Sequence, residues 1–557
     1  MSHPATEGNA GDLQAPGDNQ EKAAKKRKLS PPVWVLVFVG LIFVAVAWIR
    51  FGYVTGDHAG ANLLTLVGCF LAFVIIAAWF FLLSGYRLLT RVLVFAGGMA
   101  ALMGAKALFT VDHVSGELVP TFKLRWAPSP DELLAVPVAD ASRETVDLVT
   151  TTDNDFPQFL GPHRDLRVDG FTLNRDWRAN PPRLLWRQPI GAGWSSFAVV
   201  SGFAVTMEQR GELELVTCYQ VQTGKPVWTH GVTTRHRTTM GGVGPRCTPT
   251  IHGGKVYSLG ATGAFHCLDG ASGTVIWQED LLKRCGVTPA EDATAVGWGR
   301  SNSPLIVDDM VVVPVGGAKG GPYVSLVAFD KDTGELVWEA GDRQVSYSSP
   351  VLATLCGKRQ ILSVNEDSIS GYDPNTGETL WSQDWPGNSA TKASVSQPAI
   401  LGNDRFLLTK GYGAGSAMFR IEAVADDFRV KEVWRETRLL KTKFTNVVVY
   451  QGYVFGLSDG ILECVDLSSG ERQWKRGRYG HGQLLGVGDL LLVQAESGEV
   501  ALVEARPDRL EELGSFVALD GKTWNNLCLY GRFLLVRNGE EAACYELAIE
   551  DARLNRT

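Results

Sequence analysis

The chain is poor in the residue combinations that usually announce chemistry. Its nine cysteines include no Cys-x-x-Cys-His for haem attachment and none of the paired spacings of a zinc site. The glycine-bearing run Met240 to Pro245, with Gly241, Gly242 and Gly244, leads into Arg246 and not into Lys-Ser/Thr and a helix. It is a flexible loop, not a phosphate cradle. Positive charge is scarce as well: the net charge is −7, which gives no reason to expect nucleic acid, since that needs a concentrated basic face. The one dense basic run, Lys22, Lys25, Lys26, Arg27 and Lys28, sits in a polar leader, residues 1–30, with too few large apolar side chains to fold. We read it as a disordered cytoplasmic tail. A leader of that length, with several apolar stretches after it, argues against a cleavable signal peptide.

Beyond the leader the chain turns apolar. Val33 to Ile49 and Ala61 to Tyr86 contain no charged residue, and Val92 to Val111 is interrupted only by Lys106 near one end. Each approaches or exceeds the roughly 20 residues a spanning helix needs. The expected spans are about 33–53, 61–86 and 92–111, in a membrane domain of residues 31–111. With the basic tail before the first span and Arg87 and Arg91 between the second and third, both flanks belong on the cytoplasmic side. Three spans then place everything downstream on the periplasmic side of the inner membrane; a merely interfacial third helix would place it in the cytoplasm. Residues 112–183, rich in Pro, Asp and Arg and without sustained periodicity, read as a connector.

From residue 184 the chain is a repeat. In Ala328-Phe-Asp330-Lys-Asp-Thr333-Gly334-Glu-Leu-Val-Trp338 an apolar strand ends at a small residue, Asp330 and Thr333 offer side-chain acceptors to a tight turn, and Gly334 takes its left-handed corner. The Gly-to-Trp spacing recurs at Gly224/Trp228, Gly273/Trp277, Gly377/Trp381 and Gly470/Trp474. A four-stranded blade cannot bury both faces alone, so one large flat side chain per outer strand fills the gap to its neighbour. A second register agrees. Polar slots opening an inner strand occur at Ser196, Thr248, Ser303, Ser349, Gln397, Asn446, Gln483 and Asn526. Outer-strand aromatics also number eight: Trp186, Trp228, Trp277, Trp338, Trp381, Trp434, Trp474 and, in place of Trp, Phe516. The expected fold is therefore all-β, an eight-bladed β-propeller over residues 184–557 behind three transmembrane helices. Because Trp186 precedes the first inner strand and no Trp strand comes after the last, Arg183 to Pro189 should complete the final blade and close the ring. The blade ending at Trp434 lacks the Thr-Gly turn.

Cysteine placement obeys the repeat. Cys218, Cys267, Cys464 and Cys544 occupy the position of Ala328, which marks them as small buried packing residues. Cys69 falls in a membrane span. Pairing among Cys247, Cys285, Cys356 and Cys528 stays open, with Cys247 and Cys285 able to meet across a loop in an oxidising compartment.

Ala328, Asp330, Thr333, Gly334 and Trp338 match each fixed position of the tryptophan-docking motif of quinoprotein dehydrogenase propellers, and the chain resembles that superfamily. Non-catalytic propellers such as the outer-membrane assembly lipoprotein BamB share the motif, so it speaks for fold more than for activity. By this resemblance Asp155-Phe-Pro-Gln-Phe-Leu-Gly-Pro162 is an entry segment that seals one face. The resemblance also places a cofactor or ligand at the mouth of the central channel, where the inner strands begin. The candidates there are Trp194, Arg246, Arg300, Asn302, Tyr347, Lys443, Asn446, His481 and Trp524, a set of cations, amides and aromatic faces suited to an anionic or planar ligand. The plainer alternative is that these residues tie blade tops together. Glu208 and the pair Glu366-Asp367, after second strands, read as solvated hairpin tips.

Membrane glucose dehydrogenases of the quinoprotein class likewise carry several spans ahead of an external propeller, and they too lack an adjacent Cys-Cys pair. Catalysis of that kind needs a carboxylate base and oxygen ligands for Ca2+, and no Asp or Glu stands at any of the eight inner-strand starts. The expectation is a membrane-anchored scaffold that binds a protein or small ligand, with no catalytic residue, metal or cofactor assigned. The alternative is a membrane-bound quinoprotein dehydrogenase oxidising alcohols or sugars with PQQ and Ca2+. The longest insertions, Gln278 to Val296 and Ala318 to Tyr323, offer rim loops for a partner.

Overall fold

Runs of 19 to 26 apolar residues satisfy their backbone hydrogen bonds internally, and the computed structural model makes them helices: α1 (Val33–Phe51), α2 (His58–Ala78), continued by a π turn at Trp79–Leu83, and α3 (Leu88–Leu108). The structure describes residues 30–51, 58–138, 146–389, 392–425 and 427–550. The basic tail lies outside the described residues. Three helices among those described are long and apolar enough to cross a membrane. The third begins and ends earlier than its composition suggested: Phe109–Val111 leave the helix for a strand, where aromatic and β-branched residues are at home.

The remainder of the chain forms a second unit. Its connector is more structured than the sequence implied, for it opens with a hairpin of β1 (Phe109–Val114) and β2 (Pro120–Leu124). At five or six residues per strand, the alternation is too short to register as a period. Further on, β3 (Arg167–Val168) adds a parallel strand to the inner edge of the seventh blade.

Eight antiparallel sheets make up the rest, numbered here as blades 1 to 8, with strands between residues 198–233, 250–280, 305–340, 351–384, 399–436, 448–478, 483–517 and 528–546. Blade 8 has three strands of its own and takes β4 (Arg183–Pro189) as its fourth, pairing Cys544 with Trp186. The ring thus closes with the N-terminal segment of the repeat region, as expected. Rim helices α4 (Leu281–Arg284) and α5 (Pro289–Ala295) occupy the insertion between blades 2 and 3, each N-capped by its own Asp280 or Thr288.

The docking tryptophans act between blades. Indole Nε1 of Trp186 donates to Val221 O, Trp228 to Gly270 O, Trp277 to Lys331 O, Trp338 to Pro374 O, Trp434 to Leu467 O and Trp474 to Arg506 O, at 2.7–3.1 Å, always a carbonyl of the next blade's turn. The turn glycine has a second duty here. Gly334, at φ +77°, lies against the Trp277 ring, and a Cβ would stand 2.7 Å from it. Gly224, Gly273, Gly377 and Gly470 lie in the same way against the preceding blade's Trp. Trp381 is the exception because blade 5 has lost its turn; its indole donates instead to Gln360 Oε1 of its own blade, at 2.6 Å, and stacks on Phe406.

Opposite five of these tryptophans stands the small residue read from the repeat, Cys218, Cys267, Ala328, Cys464 or Cys544, each fully buried, whereas Trp381 faces Gly371 and Trp434 faces Met418. All nine cysteines are free thiols, and Cys247 and Cys285 do not pair.

Candidate functional site

The polar slots form a girdle. Ser196 N donates to Thr248 Oγ1, Thr248 N to Ser303 Oγ and Ser303 N to Ser349 Oγ, so each slot's side chain caps the backbone of the slot before it, at 2.8–3.1 Å. Asn446 does the same for Gln397 N at 2.7 Å, and Ser196 Oγ reaches back to Asn526 O at 2.6 Å. Asn302 and Asn525, one residue ahead of their slots, each donate to two carbonyls of the next blade: Ser346 and Ser348 for Asn302, Gly193 and Ser195 for Asn525. Asn302 and Asn446 therefore stand in blade-to-blade latches.

Deeper in the channel runs the segment Phe156 to Val168. Phe156 bridges Val199 of blade 1, Pro157 O accepts Ile251 N–H of blade 2 at 2.8 Å, and Leu166 O accepts Gly486 N–H of blade 7 at 2.8 Å. The buried Arg164 guanidinium donates to Ser303 O at 3.1 Å and Pro304 O at 2.9 Å of blade 3. The inner strands of four blades are joined by this one stretch.

At the mouth, four of the candidate residues come together. Trp194 and Trp524 lie with ring centroids 5.0 Å apart, and Phe444 approaches Trp524 at 4.6 Å and His481 at 5.4 Å. Arg246 shares the carbonyl of Gly241 with Trp194: its guanidinium donates there at 2.7 Å and the indole at 2.6 Å. Lys522 Nζ stands 4.2 Å above the Trp524 ring and 4.9 Å from that of Trp194, a cation over two aromatic faces. Burial lowers Lys522 to about 8 and Arg246 to about 10, and it lowers His481 too, with Lys443 adding to the effect. Tyr347 belongs to a separate aromatic group, stacked on Trp298 at 4.9 Å, with Tyr412 beyond. Burial raises Tyr347 to about 12, and its hydroxyl accepts from Trp298 N–H. Arg300 points elsewhere: it is 1% exposed, and its guanidinium binds Asp292 of α5 at 2.7 Å and Val315 O at 2.7 Å.

The tip of the β1–β2 hairpin lies on this mouth. Gly116 N donates to Glu496 Oε1 at 2.7 Å, and Gly116 sits directly against the His481 ring, with no room for a Cβ. Arg478 pairs with Glu117 at 3.0 Å, and Lys522 reaches Val114 O. Neither Glu496, Lys522 nor the hairpin figured among the sequence candidates. Lys522 had a signal available, since it stands two residues from Trp524; the hairpin contact, between residues 380 apart in the chain, had none.

One carboxylate near the mouth departs from its sequence reading. Glu208 is not a solvated tip but fully buried: Oε1 accepts from the Tyr219 hydroxyl at 2.6 Å, and Oε2 from Gly191 N–H at 2.6 Å and Arg210 at 3.1 Å. Arg210 and Tyr219 hold it ionised despite burial, and its pKa stays below the usual value. Glu366 is partly exposed and pairs with Lys392 at 3.4 Å.

A quinone cofactor with Ca2+ asks for a free carboxylate base and a cluster of oxygen ligands. Glu496 is engaged at both oxygens, Oε1 by Gly116 N–H and Trp524 Nε1–H and Oε2 by His481 N–H, and Glu208 is engaged likewise. Among the described residues no three His, Cys, Asp or Glu side chains gather as a metal site. Neither carboxylate is free to serve as a base or a metal ligand, so these two do not fit the group.

Comparison with known proteins finds the following similarities. Residues 212–476 match the family model described as outer membrane protein assembly factor BamB. A stretch of 194 residues is 25% identical to quinoprotein alcohol dehydrogenase PedH of Pseudomonas putida, covering 33% of this chain and 29% of that enzyme's length. Among solved structures, BamB from Moraxella catarrhalis aligns with 66% of this chain and 99% of its own at a TM-score of 0.47 and 13% identity. A europium-containing methanol dehydrogenase aligns with 71% and 99% at 0.43 and 12%. The chain is an eight-bladed β-propeller of PQQ-like repeats, similar over residues 212–476 to the BamB family and over 194 residues to a quinoprotein alcohol dehydrogenase, and preceded by three helices long and apolar enough to cross a membrane.

Proposed function

We propose that this protein is a membrane-anchored binding scaffold on the outer side of the bacterial cytoplasmic membrane, docking a protein or small ligand without catalysis. The observation that carries the reading is the state of the charged and donor groups the sequence offered for the mouth: those that would meet a cofactor already have partners inside the chain. Arg246 is committed to the carbonyls of Gly241, Gly242 and Gly244, Arg300 to Asp292, Asn302 to Ser346 and Ser348, and Glu496 to three N–H donors. A group that must strip those partners before it meets a cofactor pays their desolvation first. The family match, to an assembly factor, supports protein docking as the class of activity. The proposed orientation is supported by Arg87 and Arg91 between α2 and the body of α3 and by the basic run ahead of α1, since basic flanks favour the cytoplasmic side.

The match to a quinoprotein alcohol dehydrogenase supports the second reading, a PQQ- and Ca2+-dependent oxidation of alcohols or sugars. One experiment separates the two. The full chain in detergent is melted with and without PQQ and Ca2+, and assayed for reduction of an artificial electron acceptor by alcohols and sugars. The scaffold reading expects no shift and no turnover. Ligand at a hundredfold excess over its Kd adds about 2.7 kcal/mol to a folded protein. A melting rise of that order, with turnover that vanishes in Arg246→Ala, would establish the dehydrogenase instead.

A further inference from the structure

We infer that the β1–β2 hairpin lies in the membrane interface and holds the headgroup of an anionic phospholipid in the polar cavity on its inner face. The inference rests on reading α3 as a span, and it goes beyond the scaffold function in naming a ligand and a site.

The hairpin has two chemically distinct faces. In the register of the pair, Phe109 stands opposite Leu124 and Val111 opposite Phe122, which places these four on one face, while Thr110 opposite Lys123 and then Asp112 fall on the other. The apolar face is uncovered: Phe109 is 45% and Phe122 61% exposed, and Trp126 just past β2 is 65% exposed. An aromatic face of this kind is what the interfacial layer of a bilayer accommodates. Chain connectivity supplies the location. Phe109 directly follows Leu108, the last residue of α3. The headgroup layer adds roughly 5–8 Å on each side of the hydrocarbon core, and a strand rises about 3.3 Å per residue, so the first two or three residues leaving a span are still within it.

The polar face lines a cavity of about 430 Å³ with Thr110, Asp112, Lys123, Arg125, Arg237 and Thr239 among its walls. A cavity of that size admits a headgroup, not acyl chains. Its cations outnumber its acids, and the acids are already used. Asp112 pairs with Lys123 at 3.2 Å and His113 at 2.9 Å, whereas Glu132 accepts from Ser129 N–H at 2.8 Å and lies 3.5 Å from Arg235. Arg237 makes no ion pair among the described residues, and its exposed side chain lines a cavity whose two acids, Asp112 and Glu132, are engaged by other partners. A phosphate diester supplies an anion, with oxygens that match arginine donors. The cavity is also preformed. Buried Asp131 binds Arg235 at 2.6 Å, its carbonyl accepts Gly211 N–H at 3.2 Å, and Gly116 ties the far end of the hairpin to Glu496. Little ordering cost remains when the ligand arrives.

The test uses the full chain, solubilised in detergent. Native mass spectrometry counts retained lipid during titration with phosphatidylglycerol, with phosphatidylcholine and with inorganic phosphate as separate arms, and carbonate extraction of membranes is run in parallel. Retention of phosphatidylglycerol in preference to phosphatidylcholine is expected, weakened about fivefold by Arg125→Ala and by Arg237→Ala. Phe122→Ser should weaken lipid retention as well, and lipid-free melting temperatures of all three variants should stay near that of the parent. Equal retention of both lipids, or affinities indifferent to both arginines, overturns the site while a carbonate-resistant chain keeps the spans. Inorganic phosphate binding as tightly as phosphatidylglycerol overturns the lipid as its source. Release of the chain by carbonate overturns the span and this inference with it.

Discussion

Replacing Gly334 by Ala isolates the inter-blade docking of the tryptophan from the backbone cost of the turn. Two glycines make the comparison clean, because Gly334 and Gly357 share nearly the same positive φ, +77° and +78°. Alanine at either incurs the left-handed penalty of about 1–2 kcal/mol. At Gly357 the added methyl enters open space, but at Gly334 it stands 2.7 Å from Trp277 Cδ2 and 2.8 Å from Cγ. The ring cannot retreat freely, since its Nε1 is bonded to Lys331 O at 3.0 Å and its other contacts, Phe265 and Phe329, are fully buried. Overpacking of this kind adds about 1–3 kcal/mol. For a domain this large each kcal/mol moves the melting temperature by about 2 °C, so Gly334→Ala should melt about 2–6 °C below Gly357→Ala. Circular dichroism melts of the full chain in detergent read the difference. A double-mutant cycle with Trp277→Ala should show coupling, because removing the indole removes the clash. Equal melting of the two glycine variants, or strict additivity with Trp277→Ala, would refute the argument that the turn glycine is required by its neighbour's tryptophan.

Two buried polar groups give further measurable outcomes. Burial pushes Glu214 up to about 7 from the ordinary 4.5, so between those values the unfolded chain has lost a proton that the folded chain keeps, and stability falls as pH rises through the window. Glu214→Gln, which retains an acceptor for Ala261 N–H, should flatten that decline in denaturant midpoints measured across it; parallel wild-type and variant profiles would contradict the assignment. Gln360→Leu leaves the Trp381 indole N–H buried without its acceptor and should cost about 1–3 kcal/mol in urea unfolding, whereas an unchanged midpoint would mean that Trp381 has another partner.

Much of the fold could be read from one repeat laid over the next. The eight slots, the Gly-to-Trp spacing, the cysteines at the Ala328 position and the closure by Arg183–Pro189 are all periodic features, and each is found where periodicity put it. The candidate site was less legible. Trp194, Arg246, His481 and Trp524 do converge, but Arg300 turns away to Asp292, and Asn302 and Asn446 are latches between blades. A slot position specifies where a side chain starts, not which neighbour it reaches. Arg210, two residues along the same strand, was the one local sign that Glu208 is buried and paired; Tyr219 and Gly191 reach it from a neighbouring strand and a loop.

By itself the sequence determined the blade count, the docking tryptophans, the packing role of four cysteines and the apolar helices, because each is encoded by spacing within a single segment or by copies of it. Tertiary structure alone decided that the connector's hairpin rests on the channel mouth, that Phe156 to Val168 joins four inner strands, and that Trp381 turns back to Gln360 where the next blade lacks a turn. Those outcomes depend on contacts such as Gly116 with Glu496 and Arg164 with Ser303. Those partners are distant in the chain, and the Trp381 contact answers to a turn missing from the next blade, so no local pattern could record them.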